Sequence, residues 1–143
     1  MTTDENKAQF RRTFEELFNR GNLAVADDLV APDFLNHDAP PDQNRGPESM
    51  RGTVTMLRSA FPDLHFTIEE LIAEGDTVAG RVTAAGTHLG TFMGISPTGR
   101  PFQQQQMHIV RFRDGKGIEH RAVRDDLGMM RQLGVIPAPE PTR

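Results

Sequence analysis

The sequence predicts an α+β domain in which three N-terminal helices pack on a strongly curved, mainly antiparallel sheet. Three observations predict it. The apolar period is 3.6 residues up to Phe61 and two residues from Leu64 onward. Turn signals at Gly75-Asp76, Gly94–Gly99 and Asp114-Gly115 then cut the second half into strands. The length, 143 residues and 15.9 kDa, suits one domain with its own core. A curved sheet wrapped against helices makes a cone with one open mouth.

Each element has its own signal. Phe10, Phe14, Leu17 and Phe18 fall on one stripe, with Asp4 as the expected N-cap and Gly21 as the stop. A short second helix is expected over 23–30, ending before Pro32. Residues 36–45 (NHDAPPDQNR) form a polar, proline-containing loop. Pro47 suits the first turn of a third helix, whose buried stripe is Met50, Val54, Leu57 and Phe61. Leu64, Phe66 and Ile68 alternate as on a half-buried strand, and residues 77–88 form a second strand rich in Val and Thr. Residues 102–112 make the longest strand, residues 117–124 the last, and Asp114-Gly115 the hairpin turn between them. A closing helix covers 126–133 and stops at Gly134. The domain is expected to span 1–136, with 137–143 (PAPEPTR) as a flexible tail.

Composition narrows the chemistry. There is no cysteine, which excludes disulfides, thiolate metal sites and cysteine nucleophiles. Trp and Tyr are absent, so all aromatic packing falls to nine Phe. The net charge of −4 argues against a nucleic-acid partner. No apolar run approaches the roughly 18 residues of a membrane span, and MTTDENKAQF has no signal-peptide core. A cytoplasmic protein without a membrane partner is expected. No HExxH pair or Cys/His cluster occurs, so a metal site is only weakly supported, by the Asn36-His37-Asp38 loop with the strand histidines, and none is expected. With no phosphate loop or GxSxG elbow, serine hydrolysis is unsupported.

The distribution of polar residues carries the functional signal. Gln104, Gln106 and His108 alternate on one face of the longest strand, and the hairpin brings His120 of the next strand alongside. Either this is the solvent face, or it is the wall of a wet pocket; the pocket is expected. His108 and His120 are the acid/base candidates, since an imidazole titrates near neutrality. Asp125 and Asp126 stand where the last strand becomes a helix. Asp126 is the natural cap, while Asp125 could turn inward as a base or as the orienting partner of a histidine. His37 belongs to a loop, either as a surface residue or at the pocket. His88 ends a strand, either capping it or lining a cavity. Arg124 is either surface charge or an anion clamp.

Residues 86–100 (GTHLGTFMGISPTGR), 61–64 (FPDL), 125–134 (DDLGMMRQLG) and 32–36 (PDFLN) together resemble SnoaL-like polyketide cyclases, across nearly the whole chain. The resemblance implies the NTF2-like cone and intramolecular aldol cyclisation of aromatic polyketide esters without metal or organic cofactor. It also implies a small hydrophobic, polyketide-like substrate and a homodimer or higher oligomer. Asn36, Gln106, His108 and His120 match the family's pocket positions. The family's proton-abstracting Asp follows the His-Arg or His-Trp pair of the last strand; here that pair is His120-Arg121 and the next residue is Ala122.

The expected machinery is therefore His108, His120 and Asp125 as catalytic groups. Asn36, His37, His88, Gln104, Gln106 and Arg124 are expected to contact substrate. Hydroxylation of an electron-rich aromatic and plain ligand binding are the alternatives. An Asp125 that faces outward as a helix cap would leave no carboxylate at the family's position; the aldol reading then falls, and oxygen-dependent chemistry or simple ligand binding moves ahead.

Overall fold

The computed structural model describes residues 2–137. The expected tail, apart from Pro137, lies outside the described residues. Among the described residues, four helices pack on one open five-stranded sheet of order β1-β5-β4-β3-β2. Only β1 runs parallel to its neighbour.

Helix α1 (Thr3–Arg12) is capped by Thr2, two residues before the expected Asp4. Thr2 accepts the amide of Glu5 at 3.1 Å while Glu5 reaches back to Thr2. That capping box satisfies two free amides and leaves Asp4 in the first turn, where it complements the helix dipole. The helix continues as a wider coil over Thr13–Asn19 and stops before Gly21 (φ +67°). Phe10, Phe14, Leu17 and Phe18 are all buried, as their spacing requires.

The expected second helix is shorter than its pattern. One tight turn, Leu23–Val25, leads into α2 (Ala26–Leu29). Val30 is already extended (φ −131°, ψ 149°) and opens β1 (Val30–Asn36), a strand the sequence did not announce. Pro32 explains the break, because the residue before a proline avoids helical backbone and the proline itself cannot donate. α3 (Gly46–Ala60) then buries Met50 and Val54.

The strands are β2 (His65–Glu74), β3 (Thr77–Thr87), β4 (Pro101–Arg113) and β5 (Lys116–Arg124). Asp114 and Gly115 both adopt positive φ, 52° and 78°, the geometry of a type I′ hairpin turn. Register shifts between Ile68 and Glu70, and between Arg111 and Phe112, bend β2 and the β4–β5 ribbon around the helices. α4 (Asp126–Gln132) closes the chain against β4.

The core lies between the helices and the inner face of the sheet. Small residues of β3 make room for it. Gly80 pairs with His108, and a Cβ at Gly80 would lie 2.5 Å from the Phe10 ring. Phe14 sets its ring edge-on to His108, with centroids 5.0 Å apart.

Candidate functional site

Strand alternation sends Phe102, Gln104, Gln106, His108 and Phe112 inward, and all are buried. The polar stripe of β4 therefore faces the helices, not solvent. From β5, register places Arg124 opposite Gln106, Ala122 opposite His108, and His120 opposite Val110. Paired residues share a face, so His120, Ala122 and Arg124 look inward as well.

These side chains form one continuous chain of hydrogen bonds. Gln104 Nε2 donates to Asp126 Oδ1 at 3.0 Å and to the Asp125 carbonyl at 3.3 Å. Gln106 Nε2 donates to Gln104 Oε1 at 2.8 Å. Gln106 Oε1 meets His108 Nε2 at 2.7 Å. His108 Nδ1 meets His120 Nε2 at 2.8 Å, with the rings nearly parallel and centroids 5.1 Å apart. His120 Nδ1 lies 2.8 Å from Asn36 Oδ1, which also accepts the backbone amide of Asp38 at 3.0 Å. Asn36 Nδ2 ends the chain at Ser49 Oγ, 3.4 Å away. Each side chain along this path lies within hydrogen-bond distance of the next, which holds its members in place.

Burial sets the electrostatics. Loss of solvent pushes the His108 imidazole well below its ordinary range, with the facing His120 and Arg124 adding to it. His120 is lowered to about 4, again first by burial; Asp38 opposes the shift, and Arg124 and His37 reinforce it. Both rings are neutral at physiological pH and present lone pairs, which is the state a general base needs.

Access comes from the β5 side. His120, Ala122 and Arg124 keep intermediate exposure, whereas Gln104, Gln106 and His108 are closed off. Arg124 and Asp38 form an ion pair at this edge, their side chains 26% and 23% exposed. Phe14 packs edge-on against His108, with centroids 5.0 Å apart. Two clefts, of about 490 and 350 Å³, lie elsewhere. The larger is lined by Asp63, Thr87, Gln103 and Gln132, the smaller by residues that include Arg11 and His65.

Three expectations need correction. Asp125, not Asp126, is the N-cap of α4: its carboxylate is exposed and accepts the Gly128 amide at 2.9 Å. The two roles are exchanged, because the backbone turns at Asp125 (φ −80°, ψ 70°) before the helix begins. Asp125 contributes only its carbonyl to the polar chain, and Asp126 contributes the carboxylate. His37 takes no part in the polar chain: its Nε2 meets Glu119 at 2.9 Å. His88 is fully buried in a separate place. Its Nδ1 meets the Thr98 amide at 3.2 Å and the Thr98 hydroxyl at 3.1 Å, and its ring packs against Phe61, so it pegs the loop that follows β3.

Asn36, Gln104, Gln106, His108 and His120 are brought together as expected, with Arg124 at their edge. Sequence reasoning missed Asp38 and Ser49 as partners, and Phe14 as the ring against His108. Asp38 had a usable signal: it stands two residues after Asn36, the spacing at which an Asn side chain accepts a backbone amide. Ser49 and Phe14 had none, because each meets the site only through tertiary packing.

Comparison with known proteins gives one consistent result. The profile of the SnoaL-like polyketide cyclases matches residues 8–133. The aklanonic acid methyl ester cyclase DnrD of Streptomyces peucetius is 35% identical over 133 residues, covering 90% of this chain and 92% of that protein. Among solved structures, TsrD from Streptomyces laurentii superposes with a TM-score of 0.87 at 28% identity, covering 95% of this chain and 99% of that one. IdmH from Streptomyces antibioticus, described as a candidate polyketide cyclase, gives 0.78 at 34% identity, covering 90% and 98%.

Proposed function

This chain belongs to the SnoaL-like polyketide cyclase family, and on that premise we propose that it closes a ring in an aromatic polyketide ester by intramolecular aldol addition. The base in this reading is the His108–His120 pair. Ala122 occupies the position where the family resemblance implies a carboxylate, and an alanine holds no proton. The observation that carries the proposal is the 2.8 Å contact between the two imidazoles, directly beside Ala122 in the register.

The steps balance without an external oxidant or reductant. The pair takes the acidic C–H proton next to the substrate's carbonyls and leaves an enolate. The enolate carbon forms a bond to the second carbonyl carbon, whose C=O π bond breaks to an alkoxide. The alkoxide takes the proton back from the imidazolium, so substrate and product are isomers. An enolate beside the pair raises the affinity of the ring for its proton, and Arg124 supplies positive charge at the open edge. The outward Asp125 removes the carboxylate on which the aldol reading was expected to depend; what supports ring closure instead is the chain's cyclase family and a histidine pair that needs no inward acid to be a neutral base.

The experiment is direct. The protein is incubated with an aromatic polyketide methyl ester such as aklanonic acid methyl ester, and ring closure is followed by chromatography and mass. An isomer of unchanged mass, with a new stereocentre and no oxygen requirement, is the expected product. A product heavier by one oxygen atom would point to hydroxylation, and tight binding without conversion to a ligand-binding module.

A further inference from the structure

The polar chain has a direction, and it can be read from both ends. At one end the Asp126 carboxylate and the Asp125 carbonyl only accept, so Gln104 turns Nε2 toward them and Oε1 toward Gln106. Gln106 therefore donates through Nε2 and turns its own Oε1 to His108 Nε2. An amide oxygen cannot donate, so His108 Nε2 carries the proton. In a neutral ring the other nitrogen then accepts, and His108 Nδ1 takes the Nε2 proton of His120. The same rule leaves His120 Nδ1 as a bare lone pair.

At the opposite end the Asp38 amide donates to Asn36 Oδ1, which holds that oxygen against His120 Nδ1 at 2.8 Å. The three links Gln106–His108, His108–His120 and His120–Asn36 need three protons. Two neutral imidazoles hold two. The link that lacks its proton is the one at His120 Nδ1, which Asn36 Oδ1 covers at 2.8 Å, so Asn36 must turn aside before a substrate reaches that nitrogen.

We propose that Asp126, acting through Gln104 and Gln106, is a positioning residue: it fixes the Nε2–H tautomer on both histidines and so makes His120 Nδ1 the atom that receives the substrate's proton. The tautomer assignment stands on hydrogen-bond geometry; its use in proton transfer rests on the reading of the pair as the base. Protonation at Nδ1 supplies the missing third link and shares the charge over two stacked rings.

The reverse order shows what Asp126 prevents. With Gln106 flipped, its Nε2 would donate to His108 Nε2, His108 Nδ1–H to His120 Nε2, and His120 Nδ1–H to Asn36. Every link would then be satisfied by neutral rings, and no lone pair would remain for substrate. The Asn36 end alone would select that order. The Asp126 end forbids it, because two glutamine oxygens, or a glutamine oxygen and a carboxylate, would face each other. The other charged and titratable groups facing the pair are Arg124 of β5 and, from the loop after β1, Asp38 and His37. Helix α1 and its extension contribute Phe14.

The test uses the full chain with ¹⁵N-labelled histidine. Long-range ¹H–¹⁵N correlation spectra are recorded well above the imidazole range, where the tautomers are read directly. Native protein should show Nε2–H on both rings; Nδ1–H on either overturns the proposal. Gln104→Leu keeps the bulk but removes the anchor, and should switch both rings to Nδ1–H while kcat falls about 10²-fold at unchanged KM. Persistence of Nε2–H in that variant also overturns it. Should Gln104→Leu fail to fold, Gln106→Glu decides: its carboxylate still accepts from His108, so both rings must stay Nε2–H, and an Nδ1–H signal overturns the relay. A tautomer switch with undiminished turnover keeps the relay and removes the base reading beneath it, so the two failures are distinguishable.

Discussion

At the residue scale the proposed base is His120, and its surroundings predict how it titrates. Its imidazole is lowered to about 4 by burial. The acid limb of kcat/KM for the free enzyme should therefore rise near pH 4 rather than near the ordinary histidine value of about 6.5. Ala122→Asp would set a carboxylate across from His108 in the register. An opposite charge at that distance favours the imidazolium. The limb should move to higher pH in that variant, which a pH–rate series would read. Asp125 behaves differently. Its side chain caps α4 and touches nothing else in the polar chain. Asp125→Ala should cost about 0.5–2 kcal/mol in urea unfolding and leave turnover unchanged. A collapse of turnover in Asp125→Ala would return that carboxylate to the mechanism.

At the scale of elements, the site depends on how β3 makes room for α1. Gly80 lies beneath Phe10, and any side chain there would meet the ring at 2.5 Å. Gly80→Ala should cost about 1–3 kcal/mol by overpacking and displace Phe10, with thermal unfolding as the check. Most elements were legible in the sequence because their period or turn chemistry is local. The Asp114-Gly115 turn, the β3–β5 strands and the α3 stripe need only neighbours in the chain to declare themselves. β1 was hidden because its pairing with β5 is parallel and distant in sequence, and Asp33 and Phe34 break any alternation. The site divides along the same line. Gln104, Gln106 and His108 announced themselves by alternation in one strand. The exchange of roles between Asp125 and Asp126 was not legible, because it turns on one backbone conformation at the end of β5.

For the whole molecule, the buried histidines couple stability to pH. Both have folded values below the unfolded value of about 6.5, so below that pH the unfolded chain binds more protons than the folded one. Stability should be full above pH 6.5 and fall as the pH drops toward 4, by up to about 3 kcal/mol from His120 alone. Urea midpoints across that window measure it, and His120→Gln should flatten the slope; a native midpoint that does not move would contradict the burial of the pair. The same pair serves the fold and, in the proposed mechanism, the reaction. A core with neutral imidazoles is stable near neutrality, and those rings are then free to accept a proton. The central claim, that the histidine pair is the base, is tested most directly by deuterium exchange. An aromatic polyketide ester whose ring-closing carbonyl has been reduced is held in D₂O with the protein, and exchange of its acidic C–H is followed by NMR. The native protein should accelerate exchange, and His120→Gln should lose about 10²–10⁴-fold of that acceleration while remaining folded. Exchange at the native rate in folded His120→Gln would contradict the account.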